Sequence, residues 1–557
     1  MSERRIVLGL DYGTKTARAL LVDPKSGDEI ATAVAEYPHG VLESQLPDGT
    51  RLEADTALQN PRDYLTVLQQ IVPEVLNAGG VQSEEVIGIG VDFTASSVLP
   101  TLKDGSPLCT LPEFSSNPYA WVKLWKDHAA LPEAQDMTEL AERRGETFLS
   151  YYGGRLFPEW MFPKTLRMLR MAPEVYTAAD RLIEAGDWLV WQLCGEEKRS
   201  ACQAGYKGLW SKSDGFPSED YLGALHPEFA TFAKEKLPSD IYPVGSRAGG
   251  LRESWARKIG LSPGIPIAVA MIDAHAAVLG STVAETGKMV LALGTSTCHL
   301  VMHEKKILAG GIAGIVEDGI VPGLVAYESG QSAVGDIFAW FTKNQLPAHY
   351  HETAKQTGQD VFSYLQSLAA QIPSGQTGLL ALDWWNGNRS TLMDASLSGL
   401  IMGLTLATRP EDIYRALIEA TAFGTNAIID NHTEQGIPVN ELYACGGLSE
   451  RNQLLLQIYA DVTGRRLNVA ASSQAAALGS AICGAVAAGP EMGGHATFSD
   501  ATRAMARVKD KVYSPDPSAH AIFKRLYAEY LQLYETFGRG ALDTMKRLRE
   551  IRREAGS

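Results

Sequence analysis

The sequence predicts an α/β protein built from two duplicated domains, on three observations. Apolar strand-like runs alternate with helical patterns along the chain, which is the mark of α/β architecture. A glycine turn between strands stands near the start, as Leu8-Gly9-Leu10-Asp11-Tyr12-Gly13-Thr14-Lys15-Thr16 before Ala19-Leu20-Leu21-Val22. It recurs in the second half, as Val290-Leu291-Ala292-Leu293-Gly294-Thr295-Ser296-Thr297 before Leu300-Val301-Met302. Set glycine on glycine, the two turns also match at both threonines. A tight glycine turn exposes backbone N–H groups and Thr hydroxyls that together hold phosphate oxygens. Two such turns in one chain imply two domains closing on one polyphosphate. They differ at one telling position, where the first has Asp11 and the second Ala292, so only the first carries the acid a metal needs.

The elements follow in order. Asn60-Pro61-Arg62-Asp63 reads as a helix start, a capping residue and then proline at the first helical position, and Leu65, Leu68, Val72 and Val75 continue at helical spacing. Val86 to Val91 is a buried strand ending at Asp92-Phe93-Thr94-Ala95-Ser96. Ile265 to Ile272 is another, ending at Asp273, and Leu442 to Cys445 a third, ending at Gly446-Gly447 before a helix over Glu450 to Thr463. Ligands of open α/β sheets collect where strands end. Residues 150–260, rich in Trp, Gly and Pro, read as an insertion decorating the first domain. The boundary falls between Asp273 and Gly287, giving domains over 1–275 and 276–557. Ser518 to Phe537 is an amphipathic helix, followed by a basic helical tail.

Bulk properties set limits. A chain of 557 residues, 45% hydrophobic and 21% charged, has the composition of a soluble globular protein of about four domain-sized units. Its formal charge of −15 argues against nucleic acid and anionic membranes as partners, so an anionic ligand must be held by local donors. Cys109, Cys194, Cys202, Cys298, Cys445 and Cys483 show no zinc-ligand spacing and are expected to be buried free thiols in a reducing compartment. No signal-peptide core or membrane-spanning run is seen, so a cytoplasmic protein is expected.

The candidate chemistry gathers at the strand ends. Asp11 is placed to position a metal-bound nucleotide, because magnesium takes hard oxygen ligands and keeps waters, while Gly13, Thr14 and Lys15 donate to phosphate. Gly294 and Thr295 do so in the second turn. Neither a P-loop nor a dinucleotide-binding glycine loop is present. Gly446 and Gly447 let backbone approach a planar or anionic group near a positive helix end. Asp273, in Asp273-Ala274-His275, is either a base for an attacking hydroxyl or a helix N-cap. His275 reads as structural.

The paired turns, Asp273-Ala274-His275, and Gly446-Gly447-Leu448-Ser449-Glu450-Arg451-Asn452 with Leu454-Leu455-Leu456-Gln457 together resemble the FGGY carbohydrate kinases over residues 6 to about 485. The resemblance implies two actin/hexokinase-like (ribonuclease H-like) domains around a central cleft. Gly90-Val91-Asp92-Phe93-Thr94-Ala95, Leu124-Trp125-Lys126-Asp127-His128, Ala204-Gly205-Tyr206-Lys207, Glu328-Ser329-Gly330-Gln331-Ser332 and Asp383-Trp384-Trp385-Asn386-Gly387-Asn388-Arg389 are similar to the members that act on ketopentoses. The implied reaction is phosphorylation of the terminal hydroxyl of a ketopentose, L-ribulose above others, by ATP with Mg²⁺. Asp273 would be the base, and Asp11 would hold the metal through water. Gly446 and Gly447 would line the adenosine pocket. Ala95, Lys207 and Glu328 would join Asp273 in binding the sugar. A homodimer is implied as well. Two alternatives stand beside this: another sugar or polyol kinase of the family, and an ATP-switched interaction protein resembling actin.

Overall fold

The computed structural model describes residues 4–238, 240–540 and 542–556. The first three residues and the last, at the ends of the N-terminal segment and the basic tail, lie outside the described residues. Two sheets organise the chain. The first contains β1 (Ile6–Tyr12), β2 (Thr16–Val22), β3 (Glu29–Glu36), β4 (Val86–Phe93), β5 (Arg247–Gly250) and β6 (Pro266–Ala268), in the order β5-β6-β4-β1-β2-β3. The second contains β7 (Lys288–Leu293), β8 (Thr297–His303), β9 (Gly314–Glu317), β10 (Val325–Gln331), β11 (Glu441–Cys445) and β12 (Leu467–Val469), in the order β9-β10-β8-β7-β11-β12.

The duplication is visible in the pairing. In each sheet three strands form an antiparallel meander, consecutive in the first sheet and interrupted in sequence by β9 in the second, and the first of them then pairs in parallel with a later strand. Thus β3-β2-β1-β4-β6 corresponds to β10-β8-β7-β11-β12. The hairpins differ by one residue: Tyr12 pairs with Ala17 around the first turn, but Leu293 pairs with Thr297 around the second. The equal spacing of the threonines in sequence therefore conceals a shift in register, and Asp11 faces Arg18 whereas Ala292 faces Cys298.

Two helices lie between the sheets, α1 (Asp273–Gly280) and α2 (Ala475–Ala488), and one buried cluster gathers Val7 of the first sheet, Val290 and Leu300 of the second, and Leu279 and Ile482 of these helices. The approach is close because the first sheet presents glycine there. A Cβ on Gly9 would sit 2.0 Å from the Ala477 carbonyl oxygen, and one on Gly90 1.8 Å from that of Ser480. Because α2 comes from the second half of the chain yet packs on the first sheet, the polypeptide returns across the boundary region. Outer cores cover the far faces, with Leu8, Leu10 and Val72 on one side and Leu291, Ile418 and Leu455 on the other.

Several elements differ from the sequence reading. The run ending at Asp273 is not one strand but two short pieces, Pro266–Ala268 and Met271–Ile272, both paired with β4. The helix after Gly446 is likewise two, Gly447–Arg451 and Gln453–Thr463, broken at Asn452, whose side chain caps the second by accepting from the Leu455 N–H at 3.0 Å. The side layer is not coextensive with residues 150–260. Its core draws on residues from Leu46 to Leu237, since the short strands Leu58–Gln59, Val98–Thr101 and Val122–Lys123 pair into the same small sheet as Arg181–Glu184. Residues 247–250 already belong to the main sheet. Other elements match closely: Asn60 caps Pro61–Gly79 and Asp516 caps Pro517–Gly538. All six cysteines are free, Cys194 and Cys298 being partly exposed rather than buried. Among the described residues no helix is long and apolar enough to cross a membrane.

Candidate active site

Three apolar strand ends bring three aspartates together. Parallel pairing sets Asp11 beside Asp92, and Met271 lies opposite Asp92, which puts Asp273 just beyond the sheet's edge on the first turn of α1. Asp273 is not the N-cap, a position held by Ile272; its Oδ1 accepts the Ala274 N–H at 2.7 Å, and the carboxylate is half-buried. Burial, then the charge of Asp11, then that of Glu328 push its pKa up to about 7. Asp11 is raised by burial and partly compensated by Arg18, whose Nη1 lies 2.9 Å from Oδ2. Asp92 is fully buried, accepts the Ser480 hydroxyl at 2.6 Å, and is pushed well above the carboxylate range by burial and by the neighbouring charge of Asp11. Holding Asp92 towards its neutral form lessens the repulsion that Asp11 would otherwise meet from it.

A second cluster lies nearby, reached through His275 of the same helix. The helix Ala201–Lys207 reaches from the first half to β9, where Gly314 would place a Cβ 2.7 Å from the Tyr206 ring. This carries Lys207 to Glu328 in β10, with Nζ at 2.9 Å from Oε1 and 3.1 Å from Oε2. Arg389 also donates to Oε1, and His275 Nε2 stands 3.4 Å from Oε2. Lys207, Glu328 and His275 are buried and Arg389 is partly exposed, and Trp160 lies under the lysine, its ring centre 5.6 Å from Nζ. Burial alone raises the Glu328 carboxyl, but Lys207 and Arg389, with His275, hold it well below the usual carboxylate range. Burial keeps His275 below its ordinary value.

The remaining predicted residues sit on backbone turns. Gly13 closes the first turn by donating to the Thr16 carbonyl at 3.0 Å; Thr14 Oγ1 accepts the Trp125 indole N–H at 3.0 Å; Lys15 is exposed and its ammonium has no partner among the described residues. Gly294 donates to the Ser296 carbonyl at 2.9 Å, and Thr295 is exposed. Gly446 has φ 89°, and a Cβ there would meet the Leu293 carbonyl oxygen at 2.5 Å, so the nucleotide-type loop is seated directly on the second turn. Gly447 faces open space. Ala95 is half-buried in the turn after β4, where the buried Lys164 ammonium donates to the Ser96 carbonyl at 2.7 Å.

The structure thus links Asp11, Asp273, Lys207 and Glu328 electrostatically, and joins Gly294 to Gly446 through packing. Sequence reasoning missed Arg389 and Asp92, and took His275 for a structural residue only. Asp92 had a signal, an acid ending an apolar run as Asp11 and Asp273 do. Arg389 had none of its own, since it lies in an irregular segment without periodicity.

Two copies of one sheet topology, with glycine turns on both and paired acids at the strand ends of one, suit a phosphotransferase, and the family comparison specifies a carbohydrate kinase. Residues 6–280 match the N-terminal domain model and residues 289–488 the C-terminal domain model of the FGGY family of carbohydrate kinases, and the chain belongs to that family. It is 50% identical over 549 residues to a ribulokinase of Halalkalibacterium halodurans, covering 98% of each chain, and 44% identical over 557 residues to a ribulokinase of Mycolicibacterium smegmatis, covering 99% of this chain and 97% of the other. In fold it is similar to a xylulose kinase of Rhodospirillum rubrum, with a TM-score of 0.76 at 22% identity over 96% of this chain and 99% of that one. A glycerol kinase of Plasmodium falciparum with ADP gives 0.73 at 16% identity over 95% and 98%.

Proposed function

We propose that the protein is a ribulokinase, transferring the γ-phosphoryl group of ATP to the terminal hydroxyl of L-ribulose to give L-ribulose 5-phosphate, as in L-arabinose catabolism. The observation that carries this reading is near-full-length identity of about half to proteins of that name, joined to a site that suits an uncharged polyol. The bidentate pairing of Lys207 with Glu328 leaves the lysine a donor, and Glu328 offers acceptors, for sugar hydroxyls. The backbone at Ala95 adds further partners. A site built for one hydroxyl pattern rejects others strongly, because its buried polar groups are then left unpaired.

In this mechanism Asp273 takes the proton of the attacking hydroxyl. Its raised pKa suits proton transfer near neutrality, although positioning and charge stabilisation govern phosphoryl transfer more than basicity. Gly13, Thr14, Lys15, Gly294 and Thr295 orient the phosphates, and Gly446 and Gly447 line the adenosine. The donor set fits a magnesium ion. Among the described residues no cluster of three ligating side chains exists, but magnesium needs only one or two carboxylates with phosphates and waters, and the mutual repulsion of Asp11 and Asp273 favours a cation there. Asp11 would hold it, through water, and the ion would neutralise charge developing on the phosphates. Closure of the two halves expels water and limits idle ATP hydrolysis. The protein is proposed to act in the cytoplasm as a homodimer.

The test is ADP release with Mg²⁺-ATP across L-ribulose, D-ribulose, L-xylulose, D-xylulose, ribitol and glycerol. Release greatest with L-ribulose is expected. Release greatest with D-xylulose or a polyol would keep the family and overturn the substrate, and ATP binding without sugar-dependent turnover would overturn the kinase reading.

A further inference from the structure

A cavity of about 450 Å³ opens in the side layer, away from the aspartates, in the size range of small-molecule sites. Its lining includes Arg51, Lys123 and Arg167, and against them Glu53 and Glu113, so it is net positive in a chain of formal charge −15. Lys123 is only 4% exposed, yet its ammonium makes no hydrogen bond or ion pair among the described residues and rests over the Tyr119 ring, 4.5 Å from its centre. Arg167 gives one nitrogen to Glu53 at 2.6 Å and a second lies 3.8 Å from Glu133, while its buried Nε has no partner. The Arg51 guanidinium is likewise unpaired among the described residues. A buried donor left without a direct partner is costly, and here the Lys123 ammonium and Arg167 Nε are two such donors, lining the same cavity as one exposed guanidinium. Thr50, Thr56 and Asn117 add groups suited to hydroxyls.

We propose that this cavity binds a phosphate monoester of about pentose size, the phosphate meeting Lys123 and Arg51 and the hydroxyls meeting the polar wall. Its position matters to the cleft. The Lys123 and Leu124 carbonyls accept from the Lys164 ammonium, at 3.3 and 2.7 Å, and the same ammonium holds Ser96 next to Ala95. Trp125, one residue on, donates to Thr14 in the first glycine turn. The inference goes beyond the kinase reading and stands without it.

The test is calorimetric titration of D-ribose 5-phosphate into the full-length protein presaturated with Mg²⁺ and a non-hydrolysable ATP analogue, with ribose and inorganic phosphate as controls. One equivalent of ribose 5-phosphate is expected to bind, inorganic phosphate to compete, and ribose not to bind measurably. Lys123→Met should weaken binding about tenfold or more, and the surface change Arg51→Gln, which leaves the core intact, several-fold. Both residues lie outside the cleft, so their effect assigns the site whichever sugar the kinase uses. Absence of binding to the wild type, binding of ribose as tight as that of its phosphate, or unchanged affinity in both variants would overturn the proposal.

Discussion

The two sheets are alike in topology and unlike in charge at the matching place. In the first, neighbouring parallel strands end side by side in Asp11 and Asp92; in the second, the matching pair is Ala292 and Cys445. On the proposed reading, the first copy thus concentrates carboxylates where the phosphates and the reacting hydroxyl would be handled. The second leaves that place neutral and small, with Gly446 seated on Leu293, so that a bulky anionic nucleotide can approach backbone. The framework is shared by the two copies, and on the proposed reading the difference at two strand ends divides the labour.

Exchanging the acids breaks this comparison most severely. Asp11→Ala is expected to lower kcat by about a hundredfold or more, as loss of a group acting on developing charge does, read as sugar-dependent ADP release. Adding Ala292→Asp should not restore it, because that acid would face Cys298 and Cys445 rather than Arg18 and Asp92. Recovery in the double variant would show the copies to be interchangeable.

Glu328 tests the second sheet's own acid. Glu328→Gln leaves the buried Lys207 and the partly exposed Arg389 with no carboxylate, and breaking a buried pair costs roughly 3–5 kcal/mol. It should lower Tm and raise the sugar KM together. The glycines after β11 separate fold from binding. Gly446→Ala is expected to lower Tm as well as ATP affinity, since its Cβ would strike the Leu293 carbonyl at a positive φ. Gly447→Ala, which meets nothing in the protein, should leave Tm unchanged and still raise the KM for ATP if adenosine packs there.

The smallest effect comes from pH. Asp273 has a native pKa of about 7 against an ordinary 3.8, so between pH 4 and 7 the native state binds more protons than the unfolded chain, and this group's contribution to stability falls as pH rises across that window. Asp273→Asn should therefore raise Tm by a few degrees at pH 8 and leave it unchanged near pH 4. In the wild type, kcat/KM should rise with pH through the same region. Opposite slopes of stability and activity from one carboxylate would sharpen the assignment of the acidic side, and equal Tm of both proteins at pH 8 would remove its basis.

Much of this was legible in the sequence because it lies in local pattern. The repeated turn announced the duplication, and acids at the ends of apolar runs announced Asp11 and Asp273. What escaped depends on contacts between distant segments. The one-residue shift between the two hairpins appears only in strand pairing. Lys207 is pointed to only by the resemblance, its pairing with Glu328 appearing once its short helix is seen bridging to β10, and Arg389 has no local mark. Likewise the return of Ala475–Ala488 to the first sheet is invisible in its own sequence, which shows only small apolar residues; the matching glycines, Gly9 and Gly90, lie far away in the chain.

The most direct test of the central claim is L-ribulose-dependent ADP release by Asp273→Asn beside the wild type, with L-ribulose binding to each followed by calorimetry. The account predicts that turnover falls by about a hundredfold or more while the sugar is still bound within a few-fold of wild-type affinity. Turnover retained in the variant would contradict the role of Asp273 and with it the division of labour between the two sheets.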